Sequence, residues 1–388
     1  MDTITYLYSA LGLSYIVPFI FVLTIVVFFH ELGHFYIARR CGVTVEVFSI
    51  GFGKSLRCWV DKHGTEWRVG WLPLGGYVKF LGDENAASAP DAESMSRLNE
   101  EQRASTLHNK PLWQRSAVVA AGPIANFILA IVIFAGLYSL LGQRVTEPMI
   151  GVVAPDSAAE MADLRPGDLI THIDGKEIIS FSEVRRQVVV SAGERLIFGL
   201  IRDGQAIEQP VTPERVLETD RFGNEYYVGR LGIGVSGDEA LVRHVRYDPL
   251  SALWMGVKES YFIVEQTFIV LGRIITGRES ADSLGGPIRI AQISGQTATM
   301  GLVALINLTA VLSVSIGLIN LFPIPMLDGG HLAFYAYEAV FRRPLPERAQ
   351  EIGMRIGLTL VLMLFVMVTI NDLSRLNLFD GLFGLFGF

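Results

Sequence analysis

Apolar positions in this chain fall into long blocks. Residues 15–38, 117–141, 300–322 and 356–370 are nearly continuous apolar runs. Each is long enough, or nearly so, for a helix to cross a hydrocarbon layer about 30 Å thick, so four spans are predicted. A fifth block, 249–276, carries Lys258, Glu259, Glu265 and Arg273 among Trp254, Tyr261, Phe262, Phe268 and Leu271. That mixture predicts an amphipathic helix lying at the membrane surface, with a fifth span as the alternative. Residues 43–80 read differently. Glycines at 51, 53, 64, 70, 75 and 76 are interleaved with Val45, Val47, Trp59, Val60, Trp67, Val69 and Trp71. Leu56-Arg-Cys-Trp-Val60 and Thr65-Glu-Trp-Arg-Val69 flank Asp61-Lys-His-Gly64, which predicts a β-hairpin. Residues 84–110 are polar and rich in Ala and Ser, and are expected to form a loop. Residues 149–236 alternate short β-like runs with the turn signals Asp174-Gly175 and Asp203-Gly204. They predict one small α+β domain outside the membrane.

Composition agrees with a multi-pass α-helical membrane protein that also carries soluble parts. Of 388 residues, 51% are hydrophobic and only 18% charged, more apolar than soluble proteins usually are. The net charge is −7, and no basic tract interleaved with aromatics is present, so nucleic acid is not an expected partner. Cys41 and Cys58 form no Cys-x-x-Cys motif and are assigned neither to metal nor to a disulfide. The first 38 residues hold no Lys or Arg, so the first block is read as a retained span. Basic residues cluster at Arg39 and Arg40, at Lys110 and Arg115, and at Arg342, Arg343, Arg348 and Arg355. The positive-inside rule then places both termini and the 149–236 domain outside the cytoplasm.

Chemistry is concentrated in the first block. His30-Glu31-Leu32-Gly33-His34 puts two imidazoles one helical turn apart on one face, with a carboxylate beside them. That spacing suits one zinc ion, with Glu31 as general base. Ionisable residues inside a span are costly and by default functional. His34 lies five residues and His30 nine before Arg39, which sets the pair about 8–13 Å inside the cytoplasmic boundary. A catalytic zinc site needs a third protein ligand. Asp328, in Asn320-Leu-Phe-Pro-Ile-Pro-Met-Leu-Asp-Gly-Gly-His331, is the candidate, with His331 as the alternative. Pro323 and Pro325 are expected to end the third span, and Gly329 and Gly330 to allow a sharp turn. Asn126 and Asn320 are polar groups in apolar spans, candidates for holding the substrate backbone or an oxyanion, or for bonding helix to helix. A transporter using the same ligands would be expected to show inverted repeats, and none is found. A catalytically inactive scaffold fits poorly with an intact His-Glu-x-x-His.

His30-Glu-Leu-Gly-His34, Gly122-Pro-Ile-Ala-Asn126 and the Asn320–His331 stretch resemble the signatures of the site-2 protease family, of the bacterial regulator of sigma-E protease type. Leu72-Pro-Leu-Gly-Gly-Tyr-Val-Lys79 and Leu284-Gly-Gly-Pro-Ile288 extend the resemblance over nearly the whole chain. It implies a zinc-dependent intramembrane endopeptidase of the bacterial inner membrane. Substrates would be membrane-spanning proteins already cut once outside, such as an anti-sigma factor or signal-peptide remnants. It implies zinc on His30, His34 and Asp328, catalysis by Glu31, substrate contact at Asn320, and a membrane-dipping hairpin at 43–80. The soluble domain resembles a single circularly permuted PDZ domain, where many members carry two. Its carboxylate-binding loop would be Arg230-Leu231-Gly232-Ile233-Gly234-Val235, receiving peptide C-termini by strand addition. The expected segments are 1–42, 43–82, 83–112, 113–142, 145–237, 245–298, 299–333 and 334–388.

Overall fold

The computed structural model describes residues 13–83, 98–219, 225–235, 242–277 and 285–375. Helix α1 (Leu13–Arg40) is followed by strands β1 (Val45–Val60) and β2 (Glu66–Phe80), the short α2 (Glu100–Ala104) and the long α3 (Leu112–Gly136). Next come β3 (Gln143–Thr146), β4 (Ile150–Val153), α4 (Ala158–Met161), β5 (Leu169–Ile173), β6 (Lys176–Glu177) and α5 (Phe181–Val190). Strands β7 (Leu196–Arg202), β8 (Gln205–Val211), β9 (Glu214–Thr219), β10 (Glu225–Arg230), β11 (Ile233–Val235) and β12 (Val242–Val245) complete that region. Helices α6 (Pro249–Ile275), α7 (Pro287–Thr299), α8 (Leu302–Asn320), α9 (Asp328–Phe341) and α10 (Glu347–Arg375) end the chain. Two compact units result: Met1–Leu137 with Ser251–Leu373, and Tyr138–Leu250 with Ser374–Phe388.

In the first unit, four helices are long and apolar enough to cross a membrane: Ser14–Arg40, Leu112–Leu141, Leu302–Asn320 and Arg348–Ser374. They coincide with the four predicted blocks. Small residues let the helices close on one another, as expected where no hydrophobic effect drives association. A Cβ on Gly33 of α1 would overlap the Ala121 carbonyl of α3, and one on Gly317 of α8 would stand 3.1 Å from Asn126 Cβ. Helix α6 buries only its small residues Ala252, Gly256 and Ser260. Leu250, Trp254, Tyr261, Phe268 and Ile275 remain exposed along it, a stripe repeating about every two turns.

The predicted hairpin is formed, with Val60 opposite Glu66 and Trp59 opposite Trp67. Its strands are longer than predicted and fold back, so Val47 pairs with both Lys79 and Glu66, and Phe48 with both Val78 and Trp67. Phe35, Ala38, Phe48, Val78, Phe80 and Val118 share one core that joins this sheet to α1 and α3. The hairpin turn is also tied to the end of α1. Asp61 accepts hydrogen bonds from Arg39, from Trp67 Nε1 (3.1 Å) and from the N–H groups of His63 (2.8 Å) and Thr65 (3.1 Å). Burial works against the Asp61 charge, but these donors outweigh it and hold the carboxyl well below the usual carboxylate range.

Two expectations need correction. The loop expected over 84–110 contains helix α2, closed by a capping box between Asn99 and Gln102; residues 84–97 lie outside the described set. Residues 334–341, expected in a cytoplasmic loop, continue α9, which starts at Asp328 and ends at Arg342 in a left-handed conformation.

In the second unit, strands β6, β5, β7 and β8 form one sheet in that order, and β11 pairs with β4. Ile150, Ile170, Ile173, Val184, Val188, Phe198, Leu200 and Leu231 form its core. Asp174-Gly175 and Asp203-Gly204 are the predicted turns, all four residues having positive φ. Buried Asp168 is held by two 2.7 Å bonds from Arg202.

Replacing Asp61 by Ala removes four donors' common acceptor and is expected to free the hairpin by about 1–3 kcal/mol. Amide exchange should rise over 45–50 and 66–69 and leave the second unit unchanged. Because the folded carboxyl sits below its unfolded value near 3.9, wild type keeps this contribution above about pH 4 and loses it as pH falls through the lowered value. The Ala variant should lack that acid-dependent step.

Candidate active site

His30 and His34 project from α1 toward α3 and the start of α9. Each is held by α3 through Nδ1. His34 Nδ1 lies 2.9 Å from the Val118 carbonyl, and a carbonyl can only accept, so Nδ1 carries the proton and the Nε2 lone pair is bare. His30 Nδ1 lies 3.3 Å from the side-chain amide of Asn126. The two Nε2 atoms then stand 3.3 Å apart, and Asp328 Oδ2 lies 3.1 Å from His30 Nε2 and 3.6 Å from His34 Nε2. Among the described residues these three form the one group able to hold a metal ion, and His331 is outside it.

The arrangement fits a cation. The His34 lone pair faces a carboxylate oxygen that is buried without a hydrogen bond, an unfavourable pairing unless a positive charge joins them. Ligands about 2.0–2.1 Å from a tetrahedral zinc stand about 3.3–3.4 Å from one another, close to the three separations seen. Two imidazoles and one carboxylate are also a donor set used for catalytic zinc.

Three backbone features place these ligands. A Cβ on Gly122 would overlap the His34 ring, so this glycine is the space that ring occupies. After α8 ends at Asn320, the chain reverses through Met326, which has φ +84°, and Asp328 opens α9, where the helix dipole favours a carboxylate. Gly329 and Gly330 were expected to make the turn. Both are instead helical, and their lack of a Cβ lets α9 seat against the carbonyls of Leu321, Phe322 and Ile324. On α10, Gly357 likewise lies against the Pro325 carbonyl.

Glu31 is approached from the sheet side. The Val78 N–H of β2 faces its carboxylate, and a Cβ on Gly76 would lie 3.1 Å from Glu31 Cγ. Thus β2 runs beside the expected general base. Sequence reasoning missed Gly122, the Val118 carbonyl, Gly76 and Val78. Gly122 was detectable as a glycine inside a span, whereas the two backbone donors and acceptors carry no sequence signal.

The polar candidates separate. Asn126 is 0% exposed and its side-chain amide lies against His30. Asn320 is half-buried at the end of α8. In the second unit, Leu231 is buried in the core while Ile233 and Gly234 lie in β11, and Gly232 has φ +78°.

The model of peptidase family M50 matches residues 18–364. The chain belongs to peptidase family M50. This site-2 protease family membership agrees with the resemblance read from the motifs. A zinc metalloprotease of Agrobacterium fabrum is 49% identical over 94% of this chain and 96% of its own length. One of Rhizobium meliloti is 48% identical over 94% and 98%, and metalloprotease MmpA of Caulobacter vibrioides is 39% identical over 96% and 98%. The M50 chain is a metalloprotease with zinc as its cofactor, and its four apolar helices make it an integral membrane protein.

Gly122→Ala should push the His34 ring off its position. Zinc content of the purified protein is expected to fall well below one per chain, with proteolysis lost in parallel. Full zinc occupancy in that variant would refute the steric role.

Proposed function

We propose that this M50 metalloprotease is an intramembrane endopeptidase that cuts membrane-spanning segments of other proteins, most of them shortened beforehand by a first cut outside the membrane. The observation that carries the reading is the position of His30, Glu31 and His34 within the apolar helix Ser14–Arg40. Asp328, reaching them from a broken helix region, supports it, since irregular backbone at membrane depth is tolerated where it lines a cavity or is buried in protein.

Zinc, when bound by His30, His34 and Asp328, supplies the charge that polarises a carbonyl and makes a water more nucleophilic. Glu31 takes the proton from that water and delivers it to the leaving amine. The Val78 N–H of β2 faces the Glu31 carboxylate. A helical substrate must first unwind, because its carbonyls are engaged in the helix. The strand character of β2 beside Glu31 favours an extended substrate, which strand pairing would hold. Asn320, at the mouth of the α8–α9 turn, is the residue we assign to substrate contact.

The basic residues around Arg39, Lys110 and Arg342 put the metal site in the cytoplasmic leaflet, with both termini and the second unit outside. There the second unit acts as a PDZ-like receptor for peptide C-termini exposed by the first cut. Strand β11 has β4 on one side; Leu231 and Gly232 precede it, and Ile233 and Gly234 begin it. The exposed stripe of α6 suits a helix lying in the membrane interface.

A single-span reporter in proteoliposomes tests the reading. Glu31→Gln is expected to keep zinc and to lose cleavage by about 10²–10⁴-fold, and mass spectrometry should place the wild-type cut within the apolar span. A cut mapped outside the span would refute intramembrane action. A second unit that also acts as a size filter is tested by deleting 149–236, which should permit cutting of untrimmed substrate; unchanged discrimination would count against the filter.

A further inference from the structure

Two metal-binding histidines one turn apart present the same problem twice. Each ring must keep its proton on Nδ1 so that the Nε2 lone pair is left for the metal, and each must be prevented from turning. For His34 the Val118 carbonyl does both, at 2.9 Å. Among the described residues no backbone group serves His30 in that way, and the group facing its Nδ1 is the Asn126 side chain, 3.3 Å away.

We infer that Asn126 is a positioning residue for the zinc site: its side-chain oxygen accepts a hydrogen bond from His30 Nδ1–H and so aims the His30 Nε2 lone pair at the metal. The amide can present either Nδ2 or Oδ1 to the ring, since half a turn about its last bond exchanges them. Nδ2 against Nδ1 would require the ring proton on Nε2, where it would block the metal. In the structure Nδ2 stands against Nδ1 and Oδ1 is buried without a hydrogen bond; the half turn that exchanges them gives Oδ1 the ring proton and matches a metal-binding tautomer.

The amide is rigidly placed. Asn126 is 0% exposed. Ser313 Oγ of α8 donates to its backbone carbonyl at 2.8 Å, and Gly317 leaves room for its Cβ. Asn126 therefore lies where α3 and α8 meet, and it holds a ligand carried by α1. One motif, Gly122-Pro-Ile-Ala-Asn126, thus serves both histidines: the glycine clears space for one ring and the asparagine orients the other.

The inference rests on the zinc assignment of the triad and not on where the substrate is cut. Zinc affinity of the full-length protein in detergent is read by competition with a chromophoric chelator, alongside thermal unfolding of the metal-free form. Asn126→Leu keeps the branched shape at a larger volume and removes the acceptor; it is expected to weaken zinc binding about 10–100-fold, with metal-free unfolding unchanged. Asn126→Asp keeps an acceptor and is expected to retain wild-type affinity. With cobalt in place of zinc, the d–d absorption should shift in Asn126→Leu and stay in Asn126→Asp. Should Asn126→Leu fail to fold, Asn126→Ala takes its place under the same readings. Wild-type zinc affinity without the acceptor overturns the inference, as does an equal loss in Asn126→Asp. A raised KM with unchanged zinc affinity would instead make Asn126 a substrate contact and also overturns it. Wild type failing to bind zinc would be a failure of the triad itself.

Discussion

The proposed metal site depends on how closely α1 approaches α3. At Gly33 the two helices meet backbone to backbone, with no room for a methyl group against Ala121. Only at that distance can the His34 ring occupy the space Gly122 leaves and its Nδ1 reach Val118. Only there can His30 reach Asn126 one to two turns further along α3. In a membrane such an approach is favoured by packing rather than by hydrophobic burial, because lipid tails are as apolar as the side chains they would replace. The glycines of the two motifs are therefore steric conditions for the ligand geometry.

The third ligand obeys a different constraint. Asp328 must leave the end of one helix and re-enter at the start of another within a few residues. Proline removes donors from the region between α8 and α9, and Met326 takes up the positive φ that the reversal needs, at a local conformational cost of about 1–3 kcal/mol. Gly329, Gly330 and Gly357 then let α9 and α10 close over that segment. A strained connection persists when its surroundings over-determine it, and here two helices pack directly upon it.

Much of this was legible from residue order. Long apolar blocks give spans because a bilayer sets helix length, and an i, i+4 histidine pair shares a face whatever the tertiary context. The hairpin turn at Asp61–Gly64 and the Asp-Gly turns of the second unit follow from local chemistry. What stayed hidden depends on contacts between distant segments. The double pairing of residues 47–50 comes from β2 folding back, which no two-residue periodicity announces. Helix α2 is short and lies in a polar stretch, where no apolar periodicity marks it. Gly329 and Gly330 look like turn residues in isolation; only the carbonyls stacked against them reveal a packing role. Asn126 had two physical readings in residue order, and only the packed structure brings its amide against His30.

An enzyme that hydrolyses peptide bonds at membrane depth must bring a charged centre, a base and water into a medium that disfavours all three. On the proposed function, this fold meets that demand by dividing the work among elements of different kind. The two proposed histidine ligands ride on one helix, which fixes their spacing. The proposed third comes from a helix N-terminus, whose dipole already favours a negative charge. The proposed base shares that first helix, but its carboxylate faces a strand, Gly76–Val78 of β2, which pairs with β1. That strand is the element a helix-only membrane protein would lack. It lets polar backbone stand beside the base without leaving unpaired groups against lipid, and it ties the aim of Glu31 to the same hairpin that Asp61 anchors to the end of α1.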